Sequence, residues 1–134
     1  MRTNLPILVL ETDAPLERLL EAVLKRDGYS PRFVRDGKTA LQLLNNEIGA
    51  LIVDVSIAPS TLERGARRGI GLIHYIQRNR PALFRRTLVI TALRNRELPL
   101  DLPDLRILQK PFDVDALRNA IAEVTTGQGT GPLR

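Results

Sequence analysis

The chain has no cysteine and a single histidine, His74, among its 134 residues. That excludes disulfides, thiolate zinc sites, iron–sulfur clusters, cysteine nucleophiles and multi-histidine metal sites. A metal bound here must be a hard, oxygen-liganded cation such as Mg²⁺. The groups that remain for chemistry stand directly after short apolar runs: Glu11-Thr12-Asp13, Asp54-Val55-Ser56, Thr91-Ala92 and Lys110-Pro111-Phe112. If these run ends converge, they offer carboxylate oxygens for Mg²⁺, a carboxylate to be modified, and donors for a phosphoryl group. The reaction class that fits is phosphoryl transfer onto Asp54, with Lys110 and Thr91 binding phosphoryl oxygens and the metal offsetting their charge. Each residue alone has an ordinary reading. Asp54 alone is an exposed carboxylate, Thr91 a β-branched strand residue and Lys110 a surface lysine, while acids such as Glu11 and Asp13 at a helix start are favoured by its dipole. Only the ordered set carries the chemistry. His74, with Ser56 and Ser60 as distant companions, lacks a nucleophile elbow and reads as a rim residue.

The elements that must position this set alternate in kind. Branched apolar runs at Ile7–Leu10, Leu51–Val53, Leu88–Ile90 and Leu105–Leu108, with a weaker one at Arg32–Val34, suit strands buried on both faces of a parallel sheet. Between the first two, Leu16, Leu19, Leu20, Val23 and Leu24 make an apolar helical stripe, capped by Asp13 or Thr12, with Pro15 in its first turn and Gly28 ending it. Further helices are predicted at about Lys38–Asn46, Leu72–Arg78 and Val114–Val124, the last capped by Asp113. Such alternation forces right-handed crossovers and a doubly wound α/β sandwich, with ligands outside the carboxyl ends of the strands. The segment Arg94–Leu105, with Pro99 and Pro103, predicts a degenerate fourth helix.

Composition agrees with one soluble globular domain, at 43% apolar, 26% charged and 4% aromatic residues. We read it as residues 1–125, with 126–134 as a Gly- and Thr-containing tail. No apolar run approaches a membrane span and the N-terminus lacks a signal-peptide layout, so a cytoplasmic location without membrane contact is expected. The net charge of +5 is uneven: residues 1–62 hold seven basic and eight acidic side chains, residues 63–134 thirteen and seven. Arg64–Arg86 contains seven arginines and no acid. No aromatic interleaving or nucleic-acid reading module accompanies them, which argues against nucleic acid and for a solvated basic face or a docking surface for an acidic protein.

Taken together, the acids after the first strand, Asp54, Thr91-Ala92, Lys110-Pro111, the Asp36-Gly37 turn and Gly71-Leu72 resemble the receiver domain of bacterial two-component response regulators over about residues 5–125. The resemblance implies a flavodoxin-like, five-stranded, three-layer fold with strand order 2-1-3-4-5, and a signalling module rather than an enzyme. It implies Asp54 as phospho-acceptor, Thr91 as the hydroxyl switch and Lys110 as the phosphoryl-contacting lysine. Mg²⁺ would be held by Glu11, Asp13, Asp54 and the Ser56 backbone carbonyl, and Lys110–Pro111 would be cis. The implied donor is a histidine kinase or histidine phosphotransfer protein, with output by protein contact and a possible homodimer.

The chain departs from the family pattern in three places. Thr12 stands where a second adjacent acid is usual, leaving Asp13 or the longer Glu11 to supply the ligand. Gly71 lies seventeen residues beyond Asp54, so a loop of about 58–69 is inserted beside the acceptor. Ile107 occupies the aromatic switch position. Thr12, the degenerate fourth helix and Ile107 favour an alternative: a receiver-like interaction or dimerisation module that works without phosphorylation.

Overall fold

The structure is a computed structural model that describes residues 5–44, 47–55, 67–93 and 104–126. Along the chain lie β1 (Leu5–Leu10), α1 (Ala14–Arg26), β2 (Tyr29–Val34), α2 (Gly37–Leu43), β3 (Ala50–Asp54), α3 (Arg67–Asn79), α4 (Pro81–Phe84), β4 (Thr87–Thr91), β5 (Arg106–Gln109) and α5 (Val114–Thr126). The five strands form one sheet in the order β2-β1-β3-β4-β5, and every pairing is parallel. This is the doubly wound α/β architecture and the strand order expected.

The apolar runs cover both faces of the sheet because successive strand residues point to opposite sides. Ile7, Val9, Ile52, Leu88 and Ile90 pack with Leu20, Leu24, Leu117, Ile121 and Val124 of α1 and α5. Leu8, Leu10, Leu51, Val53 and Val89 pack with Ala40, Leu72, Ile73, Ile76 and Phe84 of α2, α3 and α4. The edge strand β2 carries Pro31 at its centre, yet its ladder to β1 runs unbroken from Tyr29 to Val34. The missing N–H therefore falls on the open side, the place where a strand tolerates proline.

Helix ends follow the capping residues. Asp13 accepts the Leu16 N–H at 3.0 Å, Asp36 the Thr39 N–H at 2.7 Å, and Asp113 the Ala116 N–H at 2.7 Å. Gly28, at φ 89°, follows α1 in a left-handed conformation that other residues adopt only with strain. Some elements differ from expectation. α2 ends at Leu43 rather than near Asn46. α3 begins at Arg67, inside the stretch read as inserted loop, because its polar first turn has no apolar period to announce it. The four-residue α4 was too short to produce a period at all. Residues 58–66 of the inserted loop, most of the degenerate fourth-helix segment (94–103) and the tail after 126 lie outside the described residues.

Candidate functional site

The register of the sheet brings the chemical groups to one edge. Leu10 pairs with Val34 on one side and Val53 on the other, Asp54 pairs with Ile90, and Thr91 with Gln109. Glu11 and Lys110 each follow their strand by one residue, and backbone hydrogen bonds extend the ladder to hold them. Glu11 N–H donates to Val34 O at 3.0 Å and Lys110 N–H to Thr91 O at 2.7 Å. β1 and β3 are neighbours whose connections leave to opposite sides of the sheet order, so the crevice of a doubly wound sheet opens above Glu11 and Asp54.

Within that crevice, Lys110 Nζ donates to Asp54 Oδ2 at 3.0 Å. The Asp54 side chain is 7% exposed and that of Lys110 27%, so this pair is held in partly desolvated surroundings, unlike a surface ion pair. Glu11 is only 2% exposed. Its Oε2 accepts the backbone N–H groups of Thr12 at 3.1 Å and Asp13 at 2.9 Å. Its Oε1 is buried and, among the described residues, meets no hydrogen-bond partner of ordinary geometry.

Burial pushes the Glu11 carboxyl from an ordinary 4.5 up to about 8. The Asp54 carboxylate, as acceptor for its proton and as a like charge, pushes the same way, while the Asp13 N–H and the Lys110 ammonium oppose it. Two carboxyl groups and one ammonium thus share one small buried space, which leaves the negative charge of an ionised Glu11 short of compensation.

That shortage tests the fit of a divalent ion. Mg²⁺ keeps several waters and is commonly bound by one or two carboxylates, so Glu11, with its orphaned oxygen, and Asp54 are a suitable donor pair. Asp13 is placed differently. It is exposed, and its Oδ2 caps α1. Among the described residues no three acidic or imidazole side chains converge as a metal-binding group. Ser56 lies outside the described residues.

Thr91 is buried at 1% exposure, and its Oγ1 accepts the Leu93 N–H at 3.0 Å. Lys110–Pro111 is cis. Ile107 is half-buried and packs on the α2–α3 side of the core. His74 is half-buried on α3. Sequence reasoning missed Arg35, which donates to Thr12 O at 3.4 Å and Glu17 Oε1 at 3.2 Å, tying the β2–α2 turn to the β1–α1 turn. Its only signal was an arginine directly after a strand.

No family model matches the chain. A 49-residue stretch is 45% identical to part of an uncharacterized transcriptional regulatory protein, YrkP, of Bacillus subtilis; the match covers 37% of this chain and 21% of that protein's length. Solved structures align over most of the fold. The non-phosphorylated HemR receiver domain of Leptospira biflexa is 23% identical at a TM-score of 0.67, covering 96% of this chain and 98% of its own. The signal receiver domain of a LuxO repressor protein of Vibrio parahaemolyticus is 18% identical at 0.69, covering 92% and 91%. The response regulator TrrA of Thermotoga maritima, solved with Mg²⁺ and BeF, is 18% identical at 0.68, covering 89% and 97%. No helix among the described residues is long and apolar enough to cross a membrane. On strand order, helix layers and these alignments, the chain has the fold of the response-regulator receiver domains.

Proposed function

We propose that the chain is a response-regulator receiver whose Asp54 accepts a phosphoryl group from a histidine kinase or histidine phosphotransfer protein. The observation that carries this reading is the Lys110–Asp54 ion pair at 3.0 Å beside the buried Glu11. An Asp54 carboxylate oxygen attacks phosphorus, the phosphorus–nitrogen bond of the donor phosphohistidine breaks, and the imidazole leaves with its electron pair. Lys110 holds the acceptor oriented beforehand and afterwards pairs with a phosphoryl oxygen. Mg²⁺, when held by Glu11 and Asp54, supplies positive charge against the carboxylate and phosphoryl oxygens.

Phosphorylation adds about −1.5 to −2 charges to a site that already holds two carboxyl groups. Thr91, whose hydroxyl proton is a donor, and Lys110 are the groups that answer that charge, and their movement biases a two-state element. With Ile107 in place of an aromatic side chain, the output contact uses another element of the fold. The protein is a signalling module that acts by protein contact.

Incubation with Mg²⁺ and acetyl phosphate, followed by mass spectrometry of the intact protein, tests this directly. The expected result is one added phosphoryl mass that is absent from Asp54→Asn. The rival reading, a docking or dimerisation module independent of phosphorylation, draws on the engagement of Asp13 as a helix cap and on Thr12 being exposed. Absence of the adduct at every Mg²⁺ concentration would replace the first reading by the second.

A further inference from the structure

The amino edge of the sheet, opposite the Glu11–Asp54–Lys110 crevice, carries a different charge pattern. Arg78, Arg80, Arg85 and Arg86 fall where α3 ends, α4 lies and β4 begins. Arg78, Arg85 and Arg86 are exposed, and none of the three forms an ion pair among the described residues. A hollow of about 210 Å³ lies between Arg80 and Arg86, and the rest of its lining is Ile48, Ala82 and Leu83. Glu47, beside Ile48, borders the adjoining hollow of about 200 Å³ with Arg32.

We propose that this edge is a docking surface for an acidic peptide segment of a partner protein, one that sets a glutamate or aspartate beside an aliphatic side chain. The exposed guanidiniums of Arg78, Arg85 and Arg86 fit the carboxylates as planar, two-pronged donors. Ala82 and the half-buried Ile48 between Arg80 and Arg86 offer the aliphatic group a small apolar contact, for which a phosphodiester backbone has no counterpart. A single strand of nucleic acid would also ask for rings on which bases stack. Phe84, the aromatic inside the arginine run, is buried, and Tyr75 is a single exposed ring on α3. The patch lies at the end of the strands away from Asp54.

The test is an NMR titration of the isotope-labelled full chain with a short peptide of alternating glutamate and leucine, beside single-stranded and duplex DNA of equal charge. The peptide should shift resonances at Ile48 and across 78–86, with affinity that falls as salt is added. The double variant Arg85→Gln/Arg86→Gln, with Arg78→Gln as a second check, should weaken binding about fivefold. Asp54→Asn should bind the peptide as the native chain does, which separates this surface from the phosphoryl site. No shifts at 78–86, peptide binding unaffected by the arginine variants, or tighter binding of DNA at the same residues would each overturn the proposal.

Discussion

Glu11 is a carboxyl group whose charge depends on what shares its space. Its pKa of about 8 lies above the ordinary 4.5, so the folded chain holds a proton that the unfolded chain has released. Between those values the native state binds more protons than the unfolded one, and stability falls as pH rises towards 8 and then levels off. Thermal unfolding in chelator should show that decline between about pH 5 and about pH 8, and Glu11→Gln should flatten it. A cation bound at Glu11 displaces the same proton, so apparent Mg²⁺ affinity should climb by up to about tenfold per pH unit below the Glu11 pKa; titration calorimetry across pH reads this directly. Lys110→Ala leaves the Asp54 carboxylate in poorly hydrated surroundings without its ammonium. We expect a loss of about 1–2 kcal/mol in denaturant melts, together with loss of the acetyl phosphate adduct. The types and order of Asp54, Thr91 and Lys110 were legible in sequence because each sits at a run end. The orphaned Glu11 oxygen was not, since it depends on which backbone N–H groups the β1–α1 turn happens to aim at the carboxylate.

At the scale of elements, Asp13 shows why a residue type does not settle a role. An acid at that position suits either a metal ion or a helix start, and the structure assigns its Oδ2 to the Leu16 N–H. Asp13→Ala should therefore cost about 1 kcal/mol of stability, and adduct formation should be nearly unchanged. Thr12→Asp adds a carboxylate next to Glu11 and should raise Mg²⁺ affinity if the turn keeps its geometry. The same logic explains which elements could be read beforehand. α1 and α5 have long apolar periods and capping aspartates. β2 carries only scattered apolar residues because one side of it is open, and α3 opens with a turn that has no apolar stripe. The four residues of α4 are fewer than any period needs. Local pattern reports burial, and where an element starts polar or ends early the pattern has nothing to report.

Across the whole molecule, stability rests on two apolar layers that meet only through the sheet. Leu24 belongs to one and Ile76 to the other, and both are fully buried. Truncation of either to alanine should cost about 2–5 kcal/mol. If the sheet couples the layers, each variant should still unfold in one transition with coincident far- and near-ultraviolet signals. The two ends of the sheet differ: the carboxyl edge gathers Glu11, Asp54 and Lys110, and the amino edge presents the exposed Arg78, Arg85 and Arg86.

Pro31 bears on how copies of the protein can meet. An outer strand with a full row of donors invites a neighbouring chain to continue the sheet, and fibrils grow by that route. The proline at the middle of β2 deletes a rung from the free margin while leaving the ladder to β1 whole. Self-association through this margin is thereby discouraged.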